Sequence, residues 1–77
     1  MPTALDRDGY RYFFYSNEHT PEHVHVKKDG GKAKFDISDE VQLVESKGMK
    51  ITELKRAQEI AEEEQKLLKE KWHEFFD

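Results

Sequence analysis

The chain has no cysteine among its 77 residues, only two prolines and four glycines, and no apolar run long enough to cross a bilayer. Without cysteine, neither a disulfide framework nor a thiolate metal site is available, so stability must come from apolar burial. The lack of a long apolar segment or signal-peptide core sets the expectation of a soluble, cytoplasmic protein with no membrane partner. An excess of positive charge is also missing: 13 Lys and Arg face 17 Asp and Glu, a formal net charge of −4. That balance argues against a generic DNA-binding footprint while leaving room for a local basic patch. The acidity is unevenly placed. Six Lys and Arg balance six Asp and Glu through Ser38, whereas seven face eleven from Asp39 onward.

What the chain does have is aromatic residues: five Phe, three Tyr and one Trp, the natural source of a core in so small a chain. Its length predicts one domain over 1–77, a sheet-forming part over 1–51 followed by a helix over 52–77. Thr3 to Asp6 reads as a short first strand, ended by the turn signal Arg7-Asp8-Gly9. Tyr10 to Tyr15 is a strand with aromatics on both faces, Tyr10, Tyr12 and Phe14 on one and Phe13 and Tyr15 on the other. This places it centrally, with one face under the helix and the other half wet. From His23 to Lys28 the residues alternate, Val24 and Val26 against His23, His25 and Lys27. Asp29-Gly30-Gly31 reads as a tight hairpin turn, Lys32 to Ile37 as the returning strand, and Val41 to Glu45 as a last strand before a turn at Ser46 to Met49.

Thr52 has the chemistry of an N-cap, with Glu53 in the first turn. Beyond it Leu54, Ala57, Ile60, Ala61, Leu67, Leu68, Trp72, Phe75 and Phe76 recur at helical spacing up to the chain end. Glu64 and Lys71 interrupt that stripe. Either the helix overhangs a small sheet and leaves both wet, or Glu64 faces a polar site or a partner. The fold class is therefore α+β: a small curled antiparallel sheet of four to five strands packed by one long C-terminal helix.

Three of the four histidines fall within the segment His19 to His25, beside Glu18 and Glu22. In a strand, His23 and His25 project from the same face and can converge on one object. They are the candidate catalytic pair, as general acid or base, and with His19 the candidate metal ligands, Glu18 and Glu22 being available as carboxylates. The plainer reading is an outward strand face whose histidines bond to Asn17, Glu22 or cross-strand neighbours. No cofactor is demanded; a divalent metal is compatible. Tyr15, Asn17, Glu18, His19, Glu22, His23 and His25 make the candidate binding surface. Ser16 and Asn17 have loop-capping chemistry and Pro21 stiffens the approach to the histidine strand. His73 sits near the helix C-terminus, where a cation is favourable. Lys27, Lys32 and Lys34 flank the hairpin, either as edge protection or, with Tyr15 and the histidines, as a modest RNA-binding face.

The runs Gly9-Tyr10-Arg11, Phe14-Tyr15-Ser16-Asn17-Glu18, Pro21 to Val26, Ala33-Lys34-Phe35 and Lys47-Gly48-Met49, with a helix ending in Trp72 and Phe75-Phe76, resemble a prokaryotic family, domain of unknown function 4160. Glu22 departs from the resemblance, standing where a second proline is expected. The resemblance implies a bacterial or phage protein, often encoded beside another small gene in a toxin–antitoxin-like pair, and carries over no catalytic residue. Small core, two-sided aromatic strand and acidic helix favour an interaction protein over an enzyme, with a protein partner from an adjacent gene or self-association through the aromatic face. The alternatives are a metal- or histidine-dependent hydrolase or nuclease at His23 and His25, and an RNA-binding protein using the same face.

Overall fold

The computed structural model of the protein describes residues 3–77. Met1 and Pro2, which the domain reading of the sequence includes, lie outside the described residues. Five strands, β1 (Thr3–Arg7), β2 (Tyr10–Phe13), β3 (His23–Lys28), β4 (Gly31–Asp36) and β5 (Gln42–Lys47), form one antiparallel sheet in the order of the sequence. Two helices follow, α1 (Ile51–Glu63) and α2 (Gln65–Phe76). The α+β class and the five-strand antiparallel sheet agree with the sequence reading.

Local chemistry explains the sheet. Asp8 and Gly9 have φ values of 54° and 80°, positive at both central positions as a type I′ turn requires, and they join Arg7 to its partner Tyr10. The β3–β4 turn is Asp29-Gly30, and Gly31 belongs to β4, paired with Lys28. Gly31 is glycine for lack of room. A Cβ there would lie 2.5 Å from the Met49 side chain and 2.6 Å from the Gly48 carbonyl oxygen. Period-2 alternation then sends Tyr10, Tyr12, Val24, Val26, Ala33 and Phe35 to one face, where they meet Ala57, Ile60, Ala61, Leu68 and Trp72 of the helices. The Tyr12 hydroxyl donates to the Ala57 carbonyl at 2.7 Å, and burial pushes its pKa up. β2 lies inside the sheet between β1 and β3, as expected, and β3 is its middle strand.

The helical segment departs from the expected single helix in two places. Its N-cap is Lys50, whose N–H donates to Glu53 Oε1 at 2.8 Å, so Thr52 already lies inside α1. The helix is divided at Glu64, with φ −105° and ψ 15°. Glu64 is not left as a wet overhang: its carboxylate accepts from Arg7 of β1 at 3.2 Å. The adjoining Gln65 amide donates to the Ile37 carbonyl at 2.9 Å, so the bend is tethered to both sides of the sheet. β2 ends at Phe13, short of the expected Tyr15, and β5 runs on to Lys47, through the expected turn. Among the described residues no helix is long and apolar enough to cross a membrane.

Gly31→Ala should lower stability by about 1–3 kcal/mol in thermal or urea unfolding, because backbone atoms of Gly48 cannot yield to the new methyl. Gly30→Ala, which meets nothing within 4 Å, should leave the midpoint near that of the parent.

Candidate functional site

The alternation of β3 turns His23 and His25 away from Val24 and Val26, His25 onto the face opposite the helices and His23 to the strand's start, where its ring still reaches Trp72 of α2. His25 stands across from Phe13 of β2 and Lys34 of β4, and His23 across from Asp36. The loop between β2 and β3 turns back and inserts Glu18 between the two imidazoles. Its Oε2 lies 2.5 Å from His23 Nε2 and its Oε1 lies 2.7 Å from His25 Nε2. The Tyr15 N–H adds a bond to Oε1 at 3.2 Å. One carboxylate thereby fastens the loop to two successive outward positions of the central strand.

His23 Nδ1 faces the Pro21 carbonyl at 3.0 Å, and a carbonyl can only accept. Nδ1 therefore donates to that carbonyl, which leaves Nε2 turned toward Glu18. Trp72, at 5.1 Å between ring centroids, backs the His23 ring. His25 is stacked on Phe13 at 5.6 Å with an interplanar angle of 27°, and the Tyr15 ring meets it edge-on at 4.5 Å. Burial holds the His25 imidazole below its ordinary pKa, outweighing the opposite pull of Glu18. For Glu18, burial pushes the carboxyl up, but the bonds from His23, Tyr15 and His25 win and hold it below the usual carboxylate range. A basic form of His25 and an ionised Glu18 are the result.

The remaining candidates are placed as follows. His19 and Asn17 are exposed on the lip of a depression that also touches Glu18, His23 and Asp36, and His19 lies outside the Glu18–His23–His25 group. Glu22 turns the other way and accepts from His73 of α2 at 3.1 Å. Tyr15 is 37 % exposed and forms one wall of a groove of about 430 Å³ with Phe13, His25, Lys34, Glu45 and Lys47. The part of that wall made by β5 escapes the sequence reading, which ends the strand at Glu45. The continued alternation Glu45-Ser46-Lys47 is the signal that extends it. In a larger, shallower depression between Ser38-Asp39 and α2, the Gln65 amide is engaged on Ile37 and the Lys69 ammonium on Ser38.

A small open-sheet α+β domain with a loop carboxylate clamped between two strand histidines is the class defined by this fold and site. The chain belongs to the DUF4160 family, a domain of unknown function, whose family model matches residues 9–73. No curated protein and no solved structure matches it.

His73 bonds to Asp77 at 2.8 Å as well as to Glu22, and both carboxylates raise its pKa above the ordinary 6.5, Asp77 more strongly. A raised folded-state value contributes stability that is complete below the unfolded pKa and lost as pH rises through the folded one. The His73 ring resonance should therefore titrate above 6.5, with Asp77→Asn and Glu22→Gln each lowering the midpoint in a proton NMR titration. The pH dependence of unfolding between neutral and mildly alkaline pH should flatten in His73→Gln.

Proposed function

We propose that the protein is a small cytoplasmic interaction module, one member of a two-gene, toxin–antitoxin-like or regulatory pair, and that it meets its partner with the sheet face opposite the helices. One observation carries this reading. Lys27, Lys32, Lys34 and Lys47 stand on that face, register neighbours of one another or of His25, among Phe13, Tyr15 and His25. None of the four lysines enters an ion pair among the described residues. The helical side is opposite in sign, eight Asp and Glu against five Lys and Arg from Ile51 to the end. Cations around aromatic rings suit an acidic surface that also offers apolar groups. The interspersed Glu45 and Asp36 favour the patterned acidity of a protein over the uniform charge of a nucleic acid.

Co-expression with the product of the neighbouring reading frame should yield a complex that survives size exclusion. Lys32→Glu/Lys34→Glu should weaken that complex about tenfold or more. A chain that stays monomeric beside that product, or a double variant that binds as well as the parent, overturns the reading. Preferential binding of single-stranded RNA, with affinity falling steeply with salt, would replace the protein partner by RNA.

The convergence of Glu18, His23 and His25 favours a second reading, a histidine-dependent hydrolase or nuclease. On this reading RNA cleavage is abolished in His23→Ala/His25→Ala, and cleavage that survives the double change rules it out.

A further inference from the structure

We infer that Glu18, His23 and His25 constitute a divalent-cation site of the two-histidine, one-carboxylate kind, with zinc as the occupant that suits it best. The inference does not depend on the interaction reading, although His25 belongs both to this cluster and to that face.

Each of the three residues contributes one donor atom, and the three atoms lie within 4.8 Å of one another. Two imidazole nitrogens and one carboxylate oxygen are the three-ligand set of catalytic zinc sites, which leave further positions to water. Zinc bonds of about 2.0–2.1 Å hold donors roughly 3.3 Å apart in a tetrahedral arrangement. To admit an ion at such spacing the Glu18 oxygens, at 2.5 and 2.7 Å from their nitrogens, withdraw by under about 1 Å, and any donor pair wider than that within the 4.8 Å group closes toward it. Glu18 is the member free to do so, since it sits on a loop while both histidines sit on the central strand.

The surroundings supply what a ligand set needs beyond its donors. His23 gives its Nδ1 hydrogen to the Pro21 carbonyl, the outer bond that orients a ligating imidazole and leaves Nε2 to face the ion. His25 is fixed by Phe13 and Tyr15, and His23 by Trp72, so neither ring has to be ordered on binding. The three side chains are 11 %, 17 % and 12 % exposed for His23, His25 and Glu18, shielded yet open to water through the depression beside Asn17 and His19. Of the neighbouring charges, Asp36 opposite His23 favours a cation, and Lys34 opposite His25 opposes it.

The deciding experiment titrates the full chain with Zn²⁺ against a chromophoric chelator, following all four histidines by NMR in parallel. Saturable binding at micromolar Zn²⁺ is expected, with His23 and His25 resonances shifting and those of His19 and His73 unmoved. Glu18→Gln should weaken binding by about ten- to a hundredfold, and His19→Asn should not. The inference is overturned if the four histidines respond alike, if His23 and His25 stay unmoved at excess Zn²⁺, or if Glu18→Gln binds as tightly as the parent. Should Glu18→Gln fail to fold, the pattern of histidine shifts in the parent chain decides alone. Because neither readout involves a partner or RNA cleavage, a negative result leaves the interaction reading standing.

Discussion

A five-stranded sheet has two faces, and the two helices of this chain cover one of them. That constraint organises everything else. On the covered face the solution is ordinary close packing: Tyr12, Val24, Val26 and Phe35 are fully buried against Ile60, Leu68 and Trp72. On the other face, apolar groups must be covered by their neighbours in the sheet. Phe13 is only 3 % exposed although no helix packs on its side. His25 lies along it, Tyr15 meets its edge at 5.4 Å, and the Lys27 ammonium stands 5.7 Å from its centroid. Polar side chains laid flat on an aromatic ring do there what a helix does opposite.

Laying an imidazole flat has a consequence for charge. Once His25 and His23 are shielded, their ring nitrogens need partners, and a strand cannot supply them from its own backbone. Glu18 answers both at once. It is itself shielded, and an isolated carboxylate in that position would be pushed toward its neutral form. Three hydrogen bonds reverse the balance and keep it charged. The β2–β3 loop is thus held by a reciprocal arrangement, in which the histidines make the buried carboxylate tolerable and the carboxylate orients the histidines. Glu22 and His73 form a second tie on the helix side of the same loop, exposed and correspondingly weaker.

The parts of this design that are local were legible in the sequence. Period-2 alternation in His23–Lys28 assigns the histidines to one face, and Asp8-Gly9 and Asp29-Gly30 mark two hairpin turns, because strand faces and two-residue turns are decided by neighbouring residues. The parts decided at a distance were not. Thr52 looks like an N-cap, but the chain leaves β5 through Gly48, at φ 76°, and enters the helix two residues earlier, at Lys50. The stripe from Leu54 to Phe76 looks continuous, yet Glu64 is claimed by Arg7, some fifty-seven positions away. His19 has the right chemistry for the histidine cluster and sits in the wrong part of the loop. Loop geometry, not composition, selects Glu18 from the neighbouring Glu18, His19 and Glu22.

His25 belongs to two structures at once. One nitrogen meets Glu18, and the ring wall faces the lysine-bearing groove with Phe13 and Tyr15. The loop cluster and the groove are therefore not separable by mutation at this residue: replacing it removes an acceptor's partner and a wall of the groove together. Nor are they separable thermodynamically. A ligand that alters the orientation of His25 or Glu18 changes the surface presented beside Tyr15, and whatever packs on Tyr15 acts back on the cluster by the same free energy. Glu18 has the greater leverage, since the Tyr15 backbone, His25 and His23 all converge on its two oxygens. In a domain with a single covered face, the uncovered one keeps its shape through that carboxylate.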